Sequence, residues 1–160
     1  MKLPLLKDVL LALATMSFIL ILGGGMYEHA TLHYIWTAAP PRSLYMFQGP
    51  DGIHLTRFWV LIHPVVIVLL TAALLTNNDP SRRRAILITL TGYLLILIST
   101  SIYFVPELNE LITSPYNNTV NPELQHRALT WKGWNTVRGL ALLALAFNLL
   151  LSSFSSRDKK

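Results

Sequence analysis

The sequence contains no cysteine, so it has no disulfide, no thiolate metal site and no cysteine nucleophile, which removes several oxidoreductase families. Charge is scarce as well: 13% of the 160 residues are Asp, Glu, Lys or Arg, against roughly 25% in an average soluble domain. No Gly-rich phosphate loop, Ser-His-Asp order or H-E-x-x-H pattern occurs, which argues against nucleotide and hydrolase chemistry. There is no internal repeat and no low-complexity tract. The net charge of +5 comes from basic residues at the ends of apolar segments rather than along one water-facing surface. It therefore speaks for membrane orientation and against a nucleic-acid partner.

Apolar sequence is what the chain has in abundance, at 52% of its residues. The first run, Val9 to Tyr27, carries no charge and is flanked by Lys2, Lys7 and Asp8. It is long enough to cross about 30 Å of hydrocarbon. A cleavable signal peptide is the competing reading, but the run exceeds the usual apolar core and Gly23-Gly24-Gly25 is not followed by an A-x-A site. In a membrane helix those glycines would mark close packing near its outer end. A second apolar segment, Phe58 to Leu75, leads into Asn77-Asn78-Asp79-Pro80-Ser81-Arg82-Arg83-Arg84, and a third, Ala85 to Val105, stops at Pro106. A fourth helix starts near Pro122 and ends near Ser152. Between the first two spans, residues 37–54 carry a Gly-Pro-Asp-Gly turn and further prolines, predicting an ordered or partly re-entrant loop. The expected fold is all-α: one integral membrane domain over residues 1–160, a four-transmembrane-helix bundle with helices at 8–28, 57–76, 85–105 and 123–153.

With four spans, both termini share one side with the arginine turn. That side carries Lys2, Lys7, Arg82, Arg83, Arg84, Arg157, Lys159 and Lys160, the other Arg42, Arg57, Arg127, Lys132 and Arg138. The positive-inside rule then makes both termini cytoplasmic, and the expected location is a bacterial inner membrane. All five histidines and all four tryptophans fall in the outer half. An interfacial aromatic belt would mark both interfaces, so the asymmetry points to a polar and aromatic cluster at the extracytoplasmic end.

Two stretches supply that cluster. If Tyr27 to Trp36 is helical, His29, His33 and Trp36 share a face with Glu28 beside them. His29 and His33 have the spacing of metal ligands, and Glu28 or His63 would complete a three- or four-ligand site for zinc, copper or iron; interfacial histidines are the plainer reading. In the fourth helix, Trp131, Trp134, Asn135 and Arg138 share a face. An arginine about 10 Å inward of Trp131 needs a carboxylate, for which Glu28 and Glu107 are the candidates, unless it snorkels to the headgroups. His63 lies inside the second span, and Tyr103 sits one turn before Glu107.

These residues together resemble a known family. Gly-Gly-x-Met-Tyr-Glu after the first helix, Trp36 and Pro-Arg-Ser before the second, Phe58-Trp59 at its start, Tyr-Phe-Val-Pro closing the third and Trp-x-x-Trp-Asn-x-Val-Arg opening the fourth are similar to the anthrone oxygenase-like family of small four-helix membrane proteins. The resemblance spans roughly residues 20 to 150 and rests on the order and spacing of the motifs. It matches at Tyr27, Glu28, Trp36, Pro106, Trp131, Asn135 and Arg138, and departs at His33-Tyr34, where bacterial relatives tend to have a small residue and proline. It implies oxidation of an anthrone to an anthraquinone without a classical cofactor, although most members of the family have no assigned function. The leading expectation is thus an outward-facing pocket that binds, and in its stronger form oxidises, a small aromatic or quinone-like compound. Glu28, His63 and Arg138 would be catalytic, and Tyr27, Trp36, Trp59, Tyr103, Trp131, Trp134 and Asn135 would bind ligand. A non-catalytic membrane partner or small-molecule carrier is the alternative. A redox protein with a haem or transition metal on His29, His33 and His63 is the third reading. The lipid bilayer is the partner common to all three.

Overall fold

A computed structural model of the protein describes residues 3–154. Lys2, Arg157, Lys159 and Lys160, four of the basic residues that orient the chain by charge, lie outside the described residues. The described chain is all helix and loop. Helix α1 covers Leu3–Ala30, α2 Leu32–Trp36, α3 Thr56–Thr76, α4 Pro80–Ser99, α5 Val105–Ile112 and α6 Pro122–Phe154. A 3₁₀ segment occupies Arg42–Phe47, and a π-helical segment, Thr100–Phe104, joins α4 to α5. Four helical stretches are long and apolar enough to cross a membrane: Leu5–Trp36, Thr56–Thr76, Pro80–Ile112 and Pro122–Phe154. The chain is a multi-pass membrane protein.

The chain divides into two compact units. The first takes in residues up to Gly23, Thr56–Leu95 and residues from Ala141. In it four helical segments share an apolar core, with Leu11, Ala14, Phe18 and Ile21 from α1, Val66, Leu70 and Ala73 from α3, Ile86 and Tyr93 from α4, and Leu142, Ala146 and Leu149 from α6. With the buried Thr89 between Ile86 and Tyr93, every set repeats at three- and four-residue steps, the spacing that keeps one helix face inward. The opposite faces, with Leu13, Met16, Leu20, Val68 and Leu87, are exposed and equally apolar, as a lipid solvent requires. Because lipid tails are as apolar as these cores, close packing and polar contacts must hold the helices together. Arg82 on α4 is buried, donates to Asp8 Oδ1 of α1 at 2.6 Å and to the Ser153 carbonyl of α6 at 3.3 Å. Asn148 Nδ2 of α6 donates to the Ala85 carbonyl at 2.8 Å and Thr89 Oγ1 at 2.9 Å. The close helix approach is at Gly92, where an added Cβ would stand 2.9 Å from Leu145 Cδ2. At Gly23 the expected tight packing is not found, since a Cβ there meets nothing within 4 Å among the described residues.

The second unit takes in Gly24–Leu55 and Ile96–Leu140. Its core is Trp36, Leu44, Phe104, Leu111, Ala128 and Trp131. Pro106 does not stop the third helix, which runs on to Ile112. A proline ring strikes the carbonyl four residues back, and the wider π turn at Thr100–Phe104 relieves that clash. Residues 37–54 form an ordered lid of short turns on α5 and α6. Gln48 Nε2 donates to the carbonyls of Ile112 and Ser114, both at 2.9 Å, and Gln125 Nε2 donates to the Ala38 carbonyl at 2.8 Å. Two glycines permit the turn: Gly49 has φ +79°, and a Cβ on Gly52 would lie 2.6 Å from the Phe47 carbonyl oxygen.

Candidate functional site

The sequence stretch from Tyr27 to Trp36 is not one uninterrupted helix. It breaks at Thr31, whose hydroxyl donates to the Tyr27 carbonyl at 2.6 Å. His29 thus closes α1 and His33 opens α2, yet their rings still meet edge to face with centroids 5.4 Å apart and Nδ1 atoms at 3.4 Å. His33 is 2% exposed, and its ring sits edge-on to Trp36 at 5.9 Å and to Trp131 at 5.2 Å. Trp36 and Trp131 themselves meet at 5.4 Å. The Trp131 indole N–H donates to the Phe104 carbonyl at 2.9 Å, which ties α6 to the π turn.

Asn135 lies one turn beyond Trp131 and is buried. Its Nδ2 is 3.5 Å from His33 Nδ1, at the outer limit of a hydrogen bond, and its Oδ1 is buried without a hydrogen-bond partner among the described residues. Arg138 follows on the same face. It donates from Nη1 to Thr100 Oγ1 at 3.0 Å, and its guanidinium lies 4.4 Å from the Phe104 ring centroid. Glu28 is close enough for its charge to act on Arg138. Glu107, the other candidate partner of Arg138, is taken by Arg127: Nε and Nη2 hold its two oxygens at 2.8 and 2.9 Å, and Nη2 also reaches Glu110 at 2.7 Å. That fork is the geometry in which arginine binds carboxylate best.

Three residues that share a face on paper separate in the fold. Trp131 and Asn135 turn inward, while Trp134 is 57% exposed. Tyr27 and Tyr103 are also exposed. Trp59 and His63 belong to the first unit, where the indole stacks on the imidazole at 5.4 Å and His63 Nδ1 is 2.6 Å from the hydroxyl of Tyr93. His29 and His33 offer two nitrogens, and among the described residues no group of three or more His, Asp or Glu side chains is arranged to hold a metal ion. A surface groove of about 520 Å³ in the second unit is lined by loop residues such as Pro41, Ser114, Asn117 and Asn121, and includes none of the aromatic cluster.

Compared with protein families, curated proteins and solved structures, the chain matches none. The site is therefore read on its own chemistry. Sequence reasoning missed Thr100 and Phe104, which meet Arg138 only because the π turn presents them, and Tyr93, which lies on a different helix from its partner. The isolated polar residues Thr89, Tyr93 and Asn148 within apolar runs were the available signal, since such residues in a span face protein rather than lipid.

Proposed function

We propose that this membrane protein binds a small hydroxylated aromatic or quinone-like molecule in its second unit, at the extracytoplasmic end. The observation that carries the reading is Asn135 Oδ1, a buried acceptor without a donor among the described residues, beside the buried His33 and one turn from Arg138. An unmet acceptor in such surroundings costs about 1–3 kcal/mol, which a phenolic O–H would recover. Trp131 and Trp36 supply the apolar wall. In the stronger form, that of an anthrone oxygenase-like enzyme, Glu28 takes a phenolic or benzylic proton, Arg138 stabilises the oxyanion, and dioxygen reacts with the carbanion. The cytoplasmic placement of both termini belongs to the same proposal and rests on Arg82, Arg83 and Arg84.

Purified protein in detergent, titrated with anthrone, should melt at a higher temperature, and Asn135→Leu should abolish that shift. Oxygen uptake with anthrone should exceed the uncatalysed rate and fall in Glu28→Gln. Absence of any shift in the wild type would defeat binding; equal uptake with and without Glu28 would defeat the catalytic form alone.

The partner-subunit or carrier reading is favoured by one observation: Trp36 and Trp131 are 1% and 4% exposed and spend their faces on each other and on His33. It treats the cluster as the core that fastens α2 to α6. On that reading anthrone leaves the melting temperature unchanged, and Arg138→Leu lowers it.

A further inference from the structure

The first unit contains a polar pair that the proposed binding site does not use. Tyr93, on α4, is 1% exposed, and its hydroxyl meets Nδ1 of His63, on α3, at 2.6 Å. Three other hydroxyls in this unit settle on carbonyls of their own helix, Thr15 on Leu11 at 2.8 Å, Ser17 on Ala14 at 2.9 Å and Thr76 on Ala72 at 2.8 Å, while Thr89 reaches the Leu145 carbonyl of α6 at 3.4 Å. A tyrosine hydroxyl reaches beyond its own backbone and takes here a partner that can accept a proton outright. The aromatic surroundings extend outward from the pair. Phe18 meets the Tyr93 ring edge-on at 5.2 Å, His63 and Tyr93 have centroids 6.0 Å apart, and Trp59, in the first turn of α3, stacks on His63 at 5.4 Å with 22° between planes.

We propose that Trp59, His63 and Tyr93 form a redox-active tyrosine site that gives one electron to an oxidising organic radical in the membrane, of the phenoxyl or peroxyl class. The phenol loses an electron, the radical gains it and becomes an anion, and the phenolic proton crosses the hydrogen bond to Nδ1 of His63. A neutral tyrosyl radical and an imidazolium remain, and the oxygen anion takes its proton from water at the interface. Charge, electrons and protons balance.

The surroundings give each part a reason. Removing an electron from a phenol in a low-dielectric core, with the proton retained, would leave a buried cation, which is prohibitively costly. A base already in hydrogen-bond contact lowers that cost, because the proton passes to an imidazole, a far stronger base than the phenoxyl oxygen, and the positive charge comes to rest on His63, which is half-buried where Tyr93 is buried. The neutral imidazole with its proton on Nε2 presents Nδ1 as that base. Burial of Tyr93 keeps the radical from water and from other radicals, while the half-buried Trp59 offers the electron a route outward.

The test uses full-length protein in lipid nanodiscs, oxidised by flash-generated ruthenium(III) tris-bipyridine and frozen for electron paramagnetic resonance. A tyrosyl signal should form in the wild type, fall in Tyr93→Phe to the level given by exposed tyrosines such as Tyr27 and Tyr103, and form more slowly in Trp59→Phe. His63→Gln keeps a hydrogen bond to the phenol but takes no proton, and should lose the signal. Equal radical yield in His63→Gln, or an undiminished signal in Tyr93→Phe, would overturn the proposal. Electron–nuclear double resonance on the wild type needs no variant: the radical should couple to one exchangeable proton, from His63, and its absence would overturn the proposal as well. None of these results bears on anthrone binding, so the two readings stand or fall separately.

Discussion

Trp131 and Trp134 are the same residue type three positions apart on α6, one buried and one exposed, and substituting each by phenylalanine separates what burial does from what residue type does. Trp131→Phe deletes the indole N–H that donates to the Phe104 carbonyl at 2.9 Å. Hydrogen bonds between membrane helices average about 0.6 kcal/mol and reach about 1.7, so about 1 kcal/mol is lost there. The smaller ring also opens space among Trp36, His33 and Phe104, whose centroids lie 5.4, 5.2 and 5.9 Å from the indole. Residual cavity of that kind adds about 1–2 kcal/mol. Together the loss is about 2–3 kcal/mol. Trp134→Phe removes part of an exposed ring and should change stability by about 0.5 kcal/mol or less. Unfolding from dodecylmaltoside into dodecyl sulfate, followed by far-ultraviolet circular dichroism, reads both. Equal losses in the two variants, or none in Trp131→Phe, would refute the assignment of Trp131 as the pin between α6 and the π turn.

Three further outcomes are expected from the same assay. Asn148→Leu removes both bonds to α4 and should cost about 1 kcal/mol, while leaving the second unit's anthrone response unchanged. Gly92→Leu forces a side chain into Leu145 and should destabilise, whereas Gly133→Ala, with nothing within 4 Å of its Cβ, should stabilise its helix by up to about 1 kcal/mol. For Glu28 and Arg138, each changed to Gln, the double variant should lose less than the sum of the singles; strict additivity would show that their charges do not couple.

The four spans were legible because lipid demands long uncharged runs, and nothing local contradicts that demand in this chain. The π turn was not legible. Ser99-Thr100-Ser101 and Pro106 mark a disturbed helix there, but in sequence a stop and a π turn look alike, and what the turn does depends on Trp131 and Arg138, which lie far along the sequence and collect the Phe104 carbonyl and the Thr100 hydroxyl. The reach of Arg127 to Glu107 had the same character: sequence spacing named Glu107 as a candidate for Arg138, and only the fold shows that the nearer arginine holds it with both arms of its fork.

The inward face of each helix was hidden for a further reason. In water, hydropathy separates a buried face from an exposed one; in lipid both faces are apolar, so Leu87 and Ile86 on α4 are alike in chemistry and opposite in burial. Polar residues break that symmetry, because a polar side chain inside a span must find protein partners. On α4, Arg82, Thr89 and Tyr93 follow one another at seven and four residues and are all buried, tracing the inward face that the leucines and isoleucines cannot reveal. On α6, Trp131, Asn135, Arg138, Leu142, Ala146 and Leu149 continue the same four- and three-residue steps, and Trp134 falls outside them. Where polar residues lie on such a line, they mark which side of a membrane helix faces its neighbours; where an aromatic residue falls off the line, as Trp134 does, helical proximity to the site carries no information about contact with it.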